Sequence, residues 1–410
     1  MENHTSRSDE TALTGRKALI IGCGIVGPAT ALFLRRAGIN ATIYEAQSEP
    51  ADYAGLFLNT AANGVSVLKT LGLEGAVSAQ GFPARRMVFA NGSLKHLGEV
   101  RNGAEGHPGV VIKRGLLTRT IRDEALRQGI PVQFGKKLKE IRIGGAHPVT
   151  ACFADGTEAT GDFLVGCDGI HSRTRQLIFP HAPQPSYTGM LSCGGMPQDA
   201  TAPPTPGTMQ MIFGKQAFFG YLVKPTGEAY WFSNVAWPGE PDREAFRATT
   251  SEEWRQRLLA LHRDDAPLIA QMIRATTGEI GVYPIYDIPS QPAWHKGPVV
   301  LVGDAVHAVS PHAGQGASMA LEDAIVLAKC LRDIPDLAQA FARYQALRRG
   351  RAEKVVAASR RTGQTKVAST AMARWCRDLL MPVFLGLFAN SRSNDWVYSY
   401  TVPWDEKVSV

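Results

Sequence analysis

The chain has 410 residues, of which 44% are hydrophobic and 20% are charged. This length predicts two or more domains, and the composition is ordinary for a soluble globular protein. The 44 basic residues exceed the 37 acidic ones and give a net charge of +7. This excess is compatible with an anionic ligand, but it is too diffuse to indicate a nucleic-acid-binding protein.

Cysteine spacing and the length of the apolar runs argue against several further classes of protein. The six cysteines form no C-x-x-C pair, which argues against a zinc site or a disulfide framework. Residues 1–15 are polar and lack an apolar signal segment, so we predict a disordered lead there. The longest apolar run, Leu379–Ala389, is interrupted by Pro382 and Gly386 and is too short to span a bilayer. Together these features predict a cytoplasmic protein.

A glycine-rich βαβ unit opens the folded part of the chain. Its strand, turn, helix and second strand are predicted over Arg16–Ile21, Gly22–Gly27, Pro28–Ala37 and Ala41–Tyr44. In this G-x-G-x-x-G turn, Gly22 makes the bend, Gly24 admits a pyrophosphate, and Gly27 lets the helix pack on the strand. Glu45 ends the second strand, where a carboxylate bonds a ribose hydroxyl and repels a 2′-phosphate. The unit therefore favours binding of FAD or NAD over NADP, and it does not distinguish FAD from NAD.

Two further cofactor candidates follow along the chain. An amphipathic helix is predicted over Arg114–Gln128, and Arg114 at its start is equally compatible with a cofactor contact and with a surface position. A strand over Phe163–Val165 then runs into the pair Asp168-Gly169. Asp168 is therefore a carboxylate at the end of a strand, the place where open α/β sheets bind ligands.

Residues 181–206 are rich in proline and glycine and predict a domain boundary. A three-strand meander is predicted beyond it, with aromatic residues on its strands. Such a sheet suits a wall over a flat organic substrate, although each of these residues is equally compatible with a domain core. The predicted pocket residues are Met211, Phe219, Tyr221 and Tyr230.

A strand–loop–helix segment, Gly297–Ala324, carries another carboxylate at a strand end. The apolar run Pro298–Val302 predicts a strand buried on both faces, and Gly303-Asp304 ends it. A helix opens at Gly314-Gln315-Gly316, where glycines allow close approach of a ligand to free N–H groups and to the positive end of the helix dipole. We expect Asp304 and this helix start to bind a cofactor.

These separated segments together resemble the class A FAD-dependent monooxygenases, the aromatic hydroxylases of the p-hydroxybenzoate hydroxylase fold. Asp168-Gly169-x-x-Ser172-x-x-Arg175 resembles the family motif D-G-x-x-S-x-x-R. The stretch Gly303–Gly316 resembles G-D-A-x-H-x-x-x-P-x-x-G-Q-G. The resemblance covers roughly residues 16–360, and residues 184–284 and the tail match no motif.

The resemblance implies an FAD site in two halves. Glu45 would bind the adenosine ribose, Asp304 the ribityl chain, and Pro311 with Gly314 the isoalloxazine, while the helix start at Gln315-Gly316 would stabilise the reduced flavin. His307 is expected to be structural. The full predicted cofactor set is Gly22, Gly24, Gly27, Glu45, Arg114, Asp168, Gly169, Gly303, Asp304, Pro311, Gly314, Gln315 and Gly316.

The implied fold is α/β, with a Rossmann-like FAD-binding domain and an inserted, sheet-rich substrate domain. We predict a disordered lead over residues 1–15, an FAD-binding domain over 16–183 and 285–365, a substrate domain over 184–284, and a C-terminal helix and tail over 366–410. Trp396, Tyr398 and Tyr400 alternate as in a strand. The apolar run Leu379–Ala389 is expected to pack against the FAD domain, with docking on a membrane surface as the alternative.

The implied activity is hydroxylation of an aromatic or polycyclic small molecule by a flavin C4a-hydroperoxide. FAD is the cofactor, NADPH or NADH a transient co-substrate, and O2 the oxidant, with no metal and no nucleic acid. The protein is expected to be a monomer or homodimer. Tyr221, Tyr283 and His312 are candidates for a base, and none is assigned. The alternatives are epoxidase, Baeyer–Villiger or dehydrogenase/reductase chemistry on the same fold, and a non-catalytic FAD-bound ligand-binding protein.

Overall fold

A computed structural model describes residues 15–52, 55–104, 107–200, 202–365, 370–388 and 395–409. Nearly all of the predicted lead lies outside these residues. The strands are β1 Lys17–Ile21, β2 Asn40–Tyr44, β3 Phe57–Thr60, β4 Phe82–Ala84, β5 Arg86–Asn91, β6 His96–Arg101, β7 Gly103–Ala104, β8 His107–Lys113, β9 Val132–Gln133, β10 Leu138–Ile143, β11 Val149–Phe153, β12 Glu158–Gly161, β13 Phe163–Gly166, β14 Ser186–Gly195, β15 Thr208–Phe213, β16 Ala217–Val223, β17 Ala229–Ala236, β18 Gly281–Asp287, β19 His295–Lys296 and β20 Val299–Leu301.

The helices confirm most of those predicted from periodicity. Their bounds are α1 Val26–Arg36, α2 Ala62–Thr70, α3 Glu74–Gln80, α4 Arg114–Arg127, α5 Arg173–Ile178, α6 Arg243–Ala248, α7 Ser251–Leu261, α8 Pro267–Ala275, α9 Asp304–His307, α10 Gly316–Asp333, α11 Leu337–Thr365, α12 Ala371–Phe388 and α13 Asp395–Tyr398.

The central sheet has the strand order β19-β20-β13-β1-β2-β9. All its neighbours are parallel except β19 and β20. The exposed fractions of the side chains in β13 and β20 are at or near zero, as continuous apolar runs predict for strands covered on both faces. Because β20, β13, β1 and β2 are parallel neighbours, the loops that follow them all leave the sheet at the same edge. This edge is where the predicted motifs converge.

A second sheet has the order β18-β14-β17-β16-β15-β5-β6. One face is covered by α7 and α8, and Trp254, Leu258, Ile269 and Met272 pack there against the sheet. The sheet also crosses a predicted domain boundary, because β5 and β6 belong to residues 16–183 and the other strands to residues 186–287. The predicted α/β architecture with a sheet-rich second layer is confirmed.

One local prediction, the strand-like alternation of Trp396 and Tyr398, is wrong. The predicted domain boundary over residues 181–206 stays a prediction, and the segment also contains the ten-residue strand β14 of the second sheet, which its flanking prolines and glycines concealed. Helix α2 starts at Ala62, because residues 57–60 pair with β8 as β3. The alternation of Trp396 and Tyr398 belongs to the short helix α13 and not to a strand.

Helix α12 packs on the β6 edge of the second sheet, and β6 belongs to residues 16–183 of the predicted FAD domain, so the described residues of Leu379–Ala389 up to 388 lie beside that part of the chain. Leu385 lies over Gly98 of β6, and Asp378 accepts a hydrogen bond of 3.0 Å from Asn91. The guanidinium of Arg377 lies 4.8 Å from the ring centroid of Phe213. The outer face of α12 exposes Met372, Trp375, Leu379, Leu380 and Val383. None of the described helices combines the length and the apolarity needed to cross a bilayer.

Candidate active site

The three sequence motifs meet at the carboxyl edge of the central sheet and line one cavity of about 1670 Å³. The glycine turn follows β1, Glu45 follows β2, Asp168 follows β13, and Asp304 follows β20. We call this part of the cavity the cofactor end. The part lined by β5, β6 and β14–β18 is called the sheet end. A single cavity therefore joins the motif residues to the aromatic sheet.

The glycine turn leaves space for a ligand at one glycine and uses two others for close packing. A Cβ on Gly22, whose φ is +105°, would lie 2.5 Å from the carbonyl oxygen of Cys167. A Cβ on Gly27 would lie 2.0 Å from the carbonyl oxygen of Gly22. Gly24 lines the cavity and has no atom within 4 Å of its Cβ position. The turn therefore fits a pyrophosphate at Gly24.

Glu45 is held over this turn by backbone donors. Its two carboxylate oxygens accept hydrogen bonds from the backbone N–H of Cys23, at 2.7 Å, and of Gln47, at 2.9 Å. These contacts fix the carboxylate at the end of β2 on the wall of the cavity. The predicted role on a ribose is compatible with this position.

The carboxylate of Asp168 is hydrogen-bonded to residues of its own loop. It accepts hydrogen bonds from the hydroxyl of Ser172, at 2.5 Å, and from the backbone and hydroxyl of Thr174, at 2.8 and 2.9 Å. Burial raises the pKa of Asp168, and these hydrogen bonds oppose that shift. The buried guanidinium of Arg175 donates to the carbonyl oxygens of Ala305 and Ile170, both at 2.8 Å. This motif therefore shapes the loop and ties it to the loop of Asp304.

Asp304 offers an uncommitted carboxylate to the cavity. Burial raises its pKa, and the positive charge of Arg114 opposes the shift. None of the hydrogen bonds among the described residues uses this carboxylate, so it is available to a ligand hydroxyl. Arg114 is exposed at the start of α4 and also lines the cavity. Gly303 and Gly27 are the two predicted cofactor residues that lie outside the lining. Gly303 has a φ of +62°, and its Cβ position is 2.9 Å from the Cβ of Ala320.

The start of α10 faces the middle of the cavity. A single 3-10 turn, Pro311–Ala313, is followed by Gly314 in the left-handed region and by Gln315, which precedes the helix. Gly316 and Ala317 also line the cavity, so first-turn N–H groups and the positive end of the helix dipole lie beside it. The side-chain Nε2 of fully buried Gln315 has no hydrogen-bond partner among the described residues. An acceptor of the flavin ring would fit these donors.

A buried ionic network supports this helix start. Asn63 donates to Gln315 at 2.9 Å and to Glu322 at 2.6 Å. Glu322 forms ion pairs with Arg348, at 2.7 Å, and with Arg351, at 2.8 Å. Arg351 in turn donates to backbone carbonyls of the cavity-lining segment near Trp396. The network therefore connects the helix start to the C-terminal segment.

The neighbouring acid, Asp323, also belongs to this network. It pairs with Arg348 at 2.7 Å and with His307 at 2.5 Å. Burial acts to raise the pKa of Asp323, but His307 and Arg348 outweigh burial and lower it to about 2. These contacts give His307 a structural position, as expected. The sequence did not assign a role to Glu322 or Asp323, because their arginine partners, Arg348 and Arg351, lie on α11, which has no motif of its own.

The sheet end corrects the predicted pocket. Met211 lines the cavity, as predicted. Phe219 and Tyr221 lie on the opposite face of the sheet, where Phe219 stacks on Trp231 at 5.5 Å between ring centroids. Tyr230 lies under Phe57, at 5.2 Å, outside the lining. The predicted pocket therefore included Phe219 and Tyr221 from the face of the sheet that α7 and α8 cover.

Lining residues that the sequence did not identify come from strands without motifs and from the C-terminal segment. Single-sequence periodicity gives the two faces of a strand without saying which one meets a ligand, so these residues carried no usable signal. They include Met87, Phe89, Ser192, Met209, Phe213, Phe218, Phe232, Asn234, Trp396 and Val397.

Two of the three candidates for a base line the cavity: Tyr283 and His312. Tyr221 does not, which removes it as a candidate. Burial raises the pKa of Tyr283, so its phenol is protonated at neutral pH and is a donor. Within the part of the chain that the structure describes, no cluster of His, Cys, Asp and Glu could hold a metal ion.

Comparison with known families identifies the cofactor. A family model described as an FAD binding domain matches residues 16–359, which is most of the chain. The chain belongs to the class A FAD-dependent monooxygenases. The predicted cofactor, FAD, is thereby confirmed, and the geometry of the cofactor end agrees with it. The predicted activity, an FAD-dependent monooxygenase of the aromatic hydroxylase type, is confirmed as well.

Relatives of this flavin monooxygenase act on chemically different molecules. It is 33% identical over 374 residues to "Aurachin C monooxygenase/isomerase" of Stigmatella aurantiaca, covering 90% of this chain and 94% of the relative. It is 33% identical over 358 residues to "FAD-dependent urate hydroxylase" of Klebsiella pneumoniae, covering 84% and 89%. The crystal structure of K. pneumoniae HpxO with FAD and uric acid matches with a TM-score of 0.80 and 27% identity, covering 92% and 95%.

Proposed function

We propose that this monooxygenase uses NAD(P)H and O2 to add one oxygen atom to an aromatic ring held between the second sheet and the helix start at Gly314–Gly316. The observation that carries the proposal is the continuity of the cavity. It runs from Glu45 at the nucleotide position, past Asp304 and the start of α10, to the aromatic side chains of the sheet. A ring in the sheet end would lie next to the redox half of the cofactor.

The residues of the cofactor end bind and orient FAD. When bound, FAD supplies electron transfer from the nicotinamide and activation of dioxygen. Glu45 accepts hydrogen bonds from ribose hydroxyls, and Asp304 accepts one from the ribityl chain. The N–H groups of Gly316 and Ala317, with the dipole of α10, stabilise negative charge on the pyrimidine side of the ring. The apolar side chains of the sheet end exclude water from the reaction.

We place the protein in the cytoplasm, as a monomer or homodimer, with the nicotinamide bound transiently. The cysteines support a reducing compartment, since all six are unpaired thiols. NADH and NADPH are both compatible with the described residues. The experiment below determines which of the two reduces the flavin.

The experiment is anaerobic reduction of the purified yellow protein by NADH and by NADPH across a library of aromatic compounds. We expect reduction to accelerate when a substrate is bound, and isotopically labelled dioxygen to deliver one labelled atom to the ring. Incorporation into a lactone or an epoxide would indicate the corresponding alternative chemistry. Reduction followed by peroxide release without any labelled product, for every compound, would refute the proposal.

A further inference from the structure

The sheet end of the cavity is lined without ionisable acids or bases. The lining residues from β5, β6 and β14–β18 are aromatic, aliphatic or neutral polar, and among those that the structure describes there is no Asp, Glu, Lys, Arg or His. They are Met87, Phe89, Val100, Ser192, Met209, Met211, Phe213, Phe218, Phe232, Asn234, Tyr283, Pro284, Ile285 and Tyr286. A ligand charge buried here would find no counter-charge on the sheet.

Neutral polar groups on this wall are concentrated in one row across three strands. In the strand register, Ser192 of β14 lies directly opposite Asn234 of β17 and directly opposite Tyr283 of β18. All three line the cavity. Cross-strand neighbours are roughly 5 Å apart, so the row spans about 10 Å, close to the width of two fused rings. The row continues towards β15 through the rings of Phe218 and Phe213.

The adjacent row is flattened by glycine. Gly220, Gly194 and Gly281 occupy the next cavity-facing positions on β16, β14 and β18, in register with Phe232 of β17. A Cβ on Gly220 would lie 2.2 Å from the ring of Phe232, and one on Gly194 would lie 2.7 Å from Leu56. The ring of Phe232 and the side chain of Leu56 therefore occupy the space over Gly220 and Gly194 that side chains at those positions would fill.

Charge and hydrogen bonding on this wall lead to one substrate class. Burying an ionised group without a partner is costly, and Arg114 and the start of α10, which line the same cavity, are assigned to the cofactor, so an anionic ring system is disfavoured on this wall. A neutral ligand that hydrogen-bonds along one edge would contact the polar row with that edge and lay its apolar face on the aromatic residues. We propose that the substrate is a neutral, fused-ring aromatic molecule with one edge that hydrogen-bonds to Asn234, Ser192 and Tyr283. This inference rests on the oxygenase function proposed above. Substrate acids such as uric acid, which the HpxO crystal structure contains, would then be poor ligands of this chain.

The test uses a matched pair of ligands that differ in charge. 2-Naphthamide is neutral at pH 7.5, and 2-naphthoate has the same ring system but carries a carboxylate. Each is titrated into the FAD-loaded protein, and the perturbation of the flavin absorption spectrum gives its dissociation constant. We expect 2-naphthamide to bind at least about tenfold more tightly. Equal binding, tighter binding of 2-naphthoate, or no binding of 2-naphthamide would each overturn the proposal.

Two kinds of variant test the residues themselves. Ser192→Ala and Tyr283→Phe should weaken 2-naphthamide by roughly threefold to tenfold while leaving 2-methylnaphthalene, which lacks the polar group, unchanged. Ser186→Ala, on an exposed position of the same strand, is the matched control. Met211→Arg places a permanent positive charge in the sheet end and should reverse the preference in favour of 2-naphthoate. Unchanged selectivity in all three lining variants would refute the assignment.

Failure of this inference is distinguishable from failure of the oxygenase function. The titrations report binding and need no turnover, so tight binding of 2-naphthamide without oxygenation of any compound would contradict only the function. Oxygenation of 2-naphthoate in preference to 2-naphthamide would contradict only the substrate class.

Discussion

At the cofactor end of the cavity, the carboxylates lie in loops that directly follow strands of the central sheet, and backbone geometry fixes them. Glu45 accepts from the N–H groups of Cys23 and Gln47, and Asp168 accepts from residues four and six positions later. At the sheet end, the polar residues come from strands far apart in the chain and are brought together only by strand register. The first end combines short charged motifs that each have their own local geometry, and the second is a neutral surface whose polar row depends on long-range strand pairing.

This difference explains what each end can recognise. Local loops repeat the same contacts wherever the motif recurs, so they suit a constant cofactor. A surface assembled from several strands changes whenever one strand changes, so it suits a variable substrate. The following predictions test whether the two ends depend on different interactions, beginning with the largest expected effect.

The greatest loss of stability is expected from Arg348→Met, which leaves the buried carboxylates of Glu322 and Asp323 without their shared partner. The free energy of unfolding of the apoprotein, measured by urea denaturation, should fall by about 3–5 kcal/mol. Arg349→Met is the control, because Arg349 is half exposed and pairs with Glu353 at the surface, where such pairs contribute about 0–1 kcal/mol. Similar losses in both variants would contradict the importance of the buried network.

Gly27→Ala and Gly24→Ala should separate folding from cofactor binding. A Cβ at Gly27 overlaps the carbonyl oxygen of Gly22, so this variant should lose roughly 1–3 kcal/mol of apoprotein stability and also lose FAD. A Cβ at Gly24 meets no protein atom, so this variant should keep its apoprotein stability and lose only affinity for FAD. FAD retention is measured by flavin absorbance after gel filtration. Full retention by Gly24→Ala would contradict the prediction that the pyrophosphate binds at Gly24.

Asp304→Asn should stabilise the apoprotein while weakening FAD. Burial raises the pKa of Asp304 in the folded state, so its ionisation at neutral pH opposes folding. We expect a gain in stability at pH 7 that disappears below the unfolded pKa of about 3.9, where the wild-type carboxyl is protonated in both states. FAD affinity should fall about tenfold through loss of a charge-assisted hydrogen bond. Thermal melts against pH, with and without FAD, measure both effects.

The smallest effect is expected from Glu45→Gln. The amide keeps an acceptor for one backbone N–H group but loses the charge that strengthens bonds to ribose hydroxyls. FAD affinity should fall by a factor of about three to ten, with the position of oxygenation unchanged. Equilibrium dialysis and product chromatography measure these two quantities. An altered product pattern would contradict a role confined to the cofactor end.

The cofactor end was largely predictable from the sequence because its geometry is local. Glycine spacing, a carboxylate at a strand end and a glycine-rich helix start each indicate a backbone conformation that one short segment determines. Gly27 and Gly303 were placed in the cofactor set, but the structure shows them packing the backbone outside the lining. For Gly27 this is the packing role that the G-x-G-x-x-G spacing predicts, whereas the spacing around Gly303 predicts no such role.

The sheet end was not predictable because tertiary contacts decide which face of each strand meets the cavity. Phe218 and Phe219 are both aromatic and adjacent, and only the position of α7 and α8 assigns the cavity to one of them. Ser192 lies in a strand that its flanking prolines and glycines concealed. The fold of this region follows from tertiary packing that single-sequence periodicity does not report.

The second sheet takes its strands from residues 86–101 and 186–287, and none of the three cofactor motifs contributes a strand to it. Substitutions that reshape the polar row or the glycine row therefore leave the flavin loops untouched. Substitutions on this sheet can therefore change which ring system the protein binds, while the residues that bind the cofactor stay the same. For protein engineering, the same independence marks the inward positions of β14–β18 as the ones to randomise when a new regiochemistry is sought.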